Sequence, residues 1–169
     1  MKKVKPILSP DELTRLIGAA ADWNPKYNML LRLGFETGLR ISDILRLKPC
    51  MIKDQTLILT EKKTGKTRVI KLDTGFSRYL KNYARRYRLS KTDYYIFRYP
   101  KDKDKPLSRI RAWALIKTIA KEQGLEDIGT HTMRKTFAVN LYNQTGSLEK
   151  VREALNHSTE EITKKYLET

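Results

Sequence analysis

The sequence has one cysteine and no long apolar run, and each shortage excludes a class of protein. The single cysteine of the 169 residues, Cys50, excludes an internal disulfide framework and any cysteine-based zinc finger. No stretch approaches the roughly twenty apolar residues of a membrane-spanning helix. The first residues, MKKVKPILSPDEL, contain no apolar run of the length found in signal peptides. We therefore expect a soluble, cytoplasmic protein.

Basic residues far outnumber acidic ones. Lys and Arg total 35 against 19 Asp and Glu, which gives a formal net charge of +16 with both histidines neutral. A chain this basic attracts polyanions, and nucleic acid is the leading candidate partner. The alternative reading of the same composition is a protein that surface lysines merely keep in solution.

Length and periodicity predict a single domain, 1–169, that is mainly α with a small antiparallel β-hairpin. Helix start and stop signals predict a helix from Ser9-Pro10, one from Asn24-Pro25 to Gly38, a short one over 41–47, and others over 75–88, 108–123, 132–144, 148–155 and 159 to the end. Ser147 is expected to cap the helix over 148–155, and Ser158 with Glu161 to form a capping box for the last. The proline-bracketed segment 99–106 is expected to be a solvated loop.

Two β-rich runs, 56–60 and 67–72, flank the segment Glu61-Lys62-Lys63-Thr64-Gly65-Lys66. Gly65 supplies the positive φ that a tight turn requires, so the pattern predicts a β-hairpin with a lysine-rich tip.

Four polar segments could carry chemistry, although each taken singly has an ordinary structural explanation. In chain order they contain Arg40, Lys63, His131, Arg134, His157 and Tyr166. An imidazole and a guanidinium three residues apart at a helix start, as in HTMRKT, suit a phosphate site, since one moves protons and the other balances charge.

In this order the six residues resemble the active-site set of the tyrosine recombinase (phage integrase) family. The resemblance covers nearly the whole chain through the segments TGLRISDIL, KKTGK, HTMRKTFA and LNHSTEEITKKYL. It implies the tyrosine recombinase catalytic-domain fold. It also implies a site-specific DNA recombinase that cleaves and rejoins double-stranded DNA through a 3′-phosphotyrosine, with no metal, ATP or other cofactor.

The resemblance implies a role for each of the residues. Tyr166 is expected to be the nucleophile and His131 the base near its phenol. Arg40 and Arg134 are expected to clamp the two non-bridging oxygens of the scissile phosphate. His157 is expected to orient that phosphate by hydrogen bonding.

The catalytic lysine stays open between two residues of the hairpin tip. Lys63 fits the family's K-T-G pattern best and is expected to protonate the leaving 5′ oxygen, with Lys66 as the runner-up. DNA contacts are expected from the following basic residues: Arg40, Lys62, Lys66, Arg109, Arg111 and Lys135.

The sequence departs from the family pattern at three places. Asn156 stands where the family has glycine before the second histidine, and asparagine is the next most tolerant residue of left-handed backbone. Lys135 follows Arg134 where histidine is frequent. The second hairpin strand, at Ile70-Lys71-Leu72, lacks a proline often found there.

Two other functions remain open at this stage. A type IB topoisomerase uses a similar constellation to relax supercoils, and a DNA-binding regulator could retain the fold without the chemistry. The second histidine favours a recombinase, and the intact arginines and tyrosine argue against a regulator.

We expect the family's N-terminal clamp domain to be absent, so that the chain is either an excised catalytic fragment or a minimal recombinase. Four protomers are expected on recombining sites, and a monomer when free.

Overall fold

The computed structural model describes residues 5–7, 9–89, 93–99, 102 and 104–168. In chain order, the elements within these residues are α1 (Pro10–Trp23), α2 (Pro25–Thr37), α3 (Ile41–Ile44), a 3-10 turn (Pro49–Met51), β1 (Ile52–Lys53), β2 (Thr56–Thr60), β3 (Thr67–Lys71), α4 (Thr74–Arg86), α5 (Arg109–Glu122), α6 (Thr130–Thr145), α7 (Leu148–Leu155) and α8 (Glu160–Leu167). The predicted fold class, mainly α with a small antiparallel sheet, is confirmed. No helix in the described part of the chain is long and apolar enough to cross a bilayer.

The predicted element ends differ from the observed ones in informative ways. Thr159, not Ser158, caps α8, because the Thr159 side chain accepts a hydrogen bond from the Ile162 N–H at 3.4 Å. The predicted capping box at Ser158 is therefore wrong by one residue. The sequence does not predict β1, whose two residues are too few to show alternation. Part of the predicted 99–106 loop, residues 100, 101 and 103, lies outside the described residues.

The described residues divide into two compact units, and the single-domain expectation stays a prediction. The first unit comprises the described residues of Met1–Arg40 and Ala112–Thr169. Its core consists of fully buried side chains from four helices: Leu16, Met29, Leu33, Ile116 and Met133. A smaller apolar cluster of Ala138, Val151 and Leu155 packs against the side chains of Tyr166 and Leu167, so it joins α6, α7 and α8.

The second unit, Ile41–Arg111, contains the sheet. Its strands are ordered β1-β2-β3 and are antiparallel, with Leu57 opposite Ile70 and Leu59 opposite Arg68. Leu57 and Leu59 are buried on one side of the sheet. The predicted hairpin and its turn glycine are confirmed, since Gly65 has a φ of +68°.

Gly38 ends α2 in the left-handed conformation, with a φ of +59°, and a Cβ there would overlap the Phe137 ring. We expect Gly38→Ala to lower the free energy of unfolding by about 1–3 kcal/mol, since it adds both backbone strain and an overlap in the core. Urea unfolding monitored by circular dichroism measures the difference.

The matched control is Gly18→Ala, because Gly18 lies within α1 and a Cβ there would meet open space. This change is expected to raise the stability by about 0.5–1 kcal/mol through helix propensity. Equal effects of the two substitutions would contradict the role given to Gly38.

Candidate active site

Arg134 connects the ends of two helices of the first unit. Its side chain projects from α6 and is only 3% exposed. Nη1 donates a hydrogen bond to the Gly38 carbonyl at 2.7 Å, and Nη2 donates one to the Leu155 carbonyl at 2.6 Å. These carbonyls lie at the C-terminal ends of α2 and α7, where helices leave acceptors without intrahelical partners and favour positive charge. One guanidinium therefore supplies hydrogen-bond donors to the C-terminal ends of both helices.

A predicted site residue follows each of the two bonded carbonyls by two positions: Arg40 follows Gly38, and His157 follows Leu155. The Arg40 side chain is half-buried. Asn156 follows Leu155 and takes the left-handed conformation, with a φ of +52° and a ψ of +45°. The chain then turns back so that the His157 N–H donates to the Arg152 carbonyl at 2.9 Å. The expectation that asparagine can replace glycine in this turn is confirmed.

Two polar side chains, those of His157 and Lys135, lie close to the Tyr166 ring. The His157 ring stands edge-on to it, with 5.3 Å between ring centroids and an angle of 76°. His157 Nδ1 is 3.1 Å from Oγ1 of the buried Thr163, which lies one turn before Tyr166 on α8. The Lys135 ammonium is 5.7 Å from the centroid of the Tyr166 ring, within the range of a cation–π interaction.

The Tyr166 phenol is subject to opposing influences. Its hydroxyl oxygen is shielded from solvent. Burial raises the pKa of the phenol above its usual value, because desolvation disfavours the phenolate. The positive charges of Arg134 and Arg40 lower that pKa but offset only part of the increase. The phenol is therefore neutral near pH 7 and lies within the electrostatic influence of both arginines.

The remaining predicted residues differ in their exposure. His131 lies in the first turn of α6, one turn before Arg134, and its side chain is exposed. Lys63 and Lys66 are exposed at the hairpin tip of the second unit. Among the predicted DNA contacts, Lys62, Arg109 and Arg111 are also exposed, whereas Lys135 is only 9% exposed.

One group of polar residues lies outside the predicted set, at the base of the hairpin tip. Glu61 is buried and forms an ion pair with Arg68, with 3.1 Å between Oε1 and Nη1. The signal in the sequence is alternation: Leu57 and Leu59 face inward, so Glu61 continues the same side of the strand.

The chain is similar in sequence and in fold to known proteins. The model of the phage integrase family matches residues 6–169. A probable integrase/recombinase of Bacillus subtilis (strain 168), YoeC, is 34% identical over 171 residues, covering 99% of this chain and 91% of the relative. The crystal structure of XerA recombinase matches with a TM-score of 0.82 at 22% identity, covering 99% of this chain and 62% of that one. XerH site-specific recombinase, in a post-cleavage complex with palindromic difH substrate, matches with a TM-score of 0.78 at 22% identity. The match covers 98% of this chain and 50% of the XerH chain.

A mostly helical chain with a three-stranded antiparallel sheet is the architecture of tyrosine recombinase catalytic domains. This chain belongs to the phage integrase family. Its class is therefore that of site-specific recombinases, which are DNA strand-transferring enzymes, and the topoisomerase and regulator alternatives are not favoured. The chain spans only 57% of the length of one longer curated relative, a tyrosine recombinase.

The two arginines are expected to differ in their contribution to stability. Arg134→Ala leaves two carbonyls without their guanidinium partner, at about 1–3 kcal/mol each, so we expect the free energy of unfolding to fall by about 2–6 kcal/mol. Arg40→Ala removes a half-buried side chain and is expected to cost less than about 1 kcal/mol. Urea unfolding of the two variants measures the contrast, and equal losses would contradict the anchoring role of Arg134.

Proposed function

We propose that this chain cleaves and rejoins DNA at a specific site through a covalent 3′-phosphotyrosine at Tyr166. The observation that carries the proposal is the buried Tyr166 phenol, which has the His157 ring edge-on at 5.3 Å and the Lys135 ammonium 5.7 Å from its ring and is subject to the charges of Arg134 and Arg40. The phenol oxygen forms a bond to phosphorus while the bond from phosphorus to the 5′ oxygen breaks, and that oxygen leaves with a proton. The reverse attack by a 5′ hydroxyl rejoins the strand.

The two arginines supply the charge that this reaction needs. A phosphodiester repels nucleophiles because it is anionic, and more negative charge builds on its non-bridging oxygens in the transition state. A guanidinium carries five N–H donors, so Arg134 is proposed to act on the phosphate while it also bonds to the carbonyls of Gly38 and Leu155. Losing one such fixed donor typically costs about 3–4 kcal/mol of transition-state stabilisation.

The reaction requires two proton transfers, one from the attacking phenol and one to the leaving 5′ oxygen. With an unperturbed pKa near 10, about one tyrosine in a thousand is ionised at pH 7, and the raised pKa of Tyr166 makes that fraction smaller still. A base is therefore needed, and His131, one turn before Arg134, is the proposed one. Lys63 is the proposed acid for the leaving 5′ oxygen, and His157 the proposed hydrogen-bond donor to the phosphate.

Double-stranded DNA is the proposed partner. The net charge of +16 supports it, as do the exposed Lys62, Lys66, Arg109 and Arg111. The buried Lys135 is proposed to act beside Tyr166 instead of on the outer surface. A neighbour of the same fold has been captured with its difH substrate after cleavage. Recombination is proposed to use four protomers on two DNA sites, and the free chain is proposed to be monomeric.

Covalent capture tests the proposed function. Incubation with a nicked suicide duplex, which loses the attacking 5′ hydroxyl by diffusion, is expected to leave a protein–DNA adduct that survives denaturation. Tyr166→Phe is expected to form none, because it lacks the attacking oxygen. The control is Tyr142→Phe, a change at a tyrosine on α6 that is 38% exposed, and it is expected to form as much adduct as the wild type.

An undiminished adduct in Tyr166→Phe would place the nucleophile elsewhere, and no adduct from the wild type would support a binding protein. Relaxation of supercoiled plasmid without strand exchange would support a topoisomerase.

Affinity for DNA is expected to fall steeply with salt. If about six phosphates are contacted, released counterions predict a loss on the order of a thousandfold in affinity between 50 and 200 mM salt. Fluorescence anisotropy with a labelled duplex measures the slope, and sedimentation of the free protein measures its assembly state. A salt-insensitive affinity, or a stable tetramer without DNA, would contradict the proposed use of this basic surface.

A further inference from the structure

The hairpin tip is built on a buried carboxylate. Glu61 ends the inward-facing series that Leu57 and Leu59 begin, and its side chain has 0% exposure. The tip residues that follow it, 62–66, are all exposed. A buried carboxylate is costly unless it is paired and hydrogen-bonded, so its partners indicate what it does.

Both carboxylate oxygens of Glu61 have partners within the hairpin. Oε1 accepts a hydrogen bond from Nη1 of Arg68 at 3.1 Å, and the Arg68 side chain is itself only 10% exposed. Because Arg68 lies opposite Leu59 in the register, its side chain shares the face of the sheet that Glu61 occupies. Oε2 accepts a hydrogen bond from the Thr64 hydroxyl at 2.9 Å. One carboxylate thus joins the second strand to the tip.

The main chain of Glu61 closes the same turn. Its N–H donates to the Lys66 carbonyl at 3.0 Å, and its carbonyl accepts from the Gly65 N–H at 2.9 Å. The Thr64 hydroxyl, which donates to Glu61, also accepts from the Lys66 N–H at 3.3 Å. Side-chain and main-chain bonds of Glu61 therefore fix the tip at several points.

Lys63 lies between two tethered neighbours. The N–H of Lys62 donates to Oδ1 of the buried Asp43 at 2.9 Å, and Thr64 is bonded to Glu61. The backbone of Lys63 is thereby held from both sides while its ammonium remains exposed. An acid must approach the accepting oxygen to hydrogen-bond distance, and misplacement by about 1 Å can cost on the order of a hundredfold in rate.

We propose that Glu61 is a positioning residue for Lys63, and that it acts through Thr64 to hold the hairpin tip in the conformation from which Lys63 protonates the leaving 5′ oxygen. This rests on the proposed function, in which Lys63 is that acid. The alternative role of the Glu61 carboxylate is to stabilise the hairpin and nothing more. The test therefore uses a measurement that a loss of stability alone would leave unchanged.

A leaving group that needs no proton provides that measurement. Cleavage is followed on a nicked suicide duplex with the ordinary 5′ oxygen and on one with a bridging 5′ sulfur, whose thiolate leaves without protonation. On oxygen, Lys63→Ala is expected to be slower by about a hundredfold or more, and Glu61→Gln and Thr64→Val by roughly tenfold. On sulfur, all three are expected to cleave at nearly the wild-type rate.

Thr67→Val is the matched control, since it makes the same change of hydroxyl to methyl at an exposed position of the hairpin. It is expected to match the wild type on both substrates. Thermal unfolding by circular dichroism is measured for every variant. If Glu61→Gln fails to fold, Thr64→Val decides the outcome, because it removes one hydroxyl from an exposed residue.

Two patterns would overturn the inference, and they are distinguishable. In the first pattern, the sulfur substrate rescues Lys63→Ala but not Glu61→Gln and Thr64→Val, or the latter two variants are not slow on the oxygen substrate at all. Lys63 then remains the proposed acid, and its positioning by Glu61 is wrong. If sulfur fails to rescue Lys63→Ala, or rescues Lys66→Ala instead, Lys63 is not the acid, and both proposals about it are wrong.

Discussion

The organisation of the site depends on one buried guanidinium bonded to two main-chain carbonyls. A positive charge at the 3% exposure of Arg134 needs strong acceptors, and the ends of α2 and α7 provide them. Because Arg40 and His157 follow those ends by two residues each, their placement is set by the same two bonds. The charge proposed to act on the phosphate is therefore also the charge that fixes the scaffold around it.

The surroundings of Tyr166 show which of two opposing effects is larger. The charges of two arginines favour the phenolate, yet burial outweighs them and the pKa of the phenol rises. A buried tyrosine beside positive charge is thus kept in its neutral form. The arginines then have their greatest electrostatic effect when an anionic phosphate is present, which is the situation that the proposed reaction requires.

The sequence predicts those parts of the structure that local chemistry decides. Gly38 ends α2 and Asn156 takes a left-handed turn, because few other residues tolerate that conformation. The choice between Ser158 and Thr159 as a cap is not predictable in this way, since adjacent hydroxyl residues offer the same acceptor and the path of the backbone selects one. The burial of Glu61 and Lys135 is harder to predict, because a charged residue in a sequence is ordinarily expected to be exposed. The partners of Glu61, Thr64 and Arg68, are close in sequence, but nothing local shows that these polar residues bury a carboxylate. Lys135 lies beside Tyr166, which is distant in sequence.

The anchors of Arg134 are peptide carbonyls, which every residue type possesses. A hydrogen bond to a main-chain carbonyl does not depend on the side chain of the acceptor residue, provided that the backbone conformation is unchanged. Substitutions near Gly38 and Leu155 that keep the backbone conformation therefore leave the acceptors of the Arg134 bonds in place.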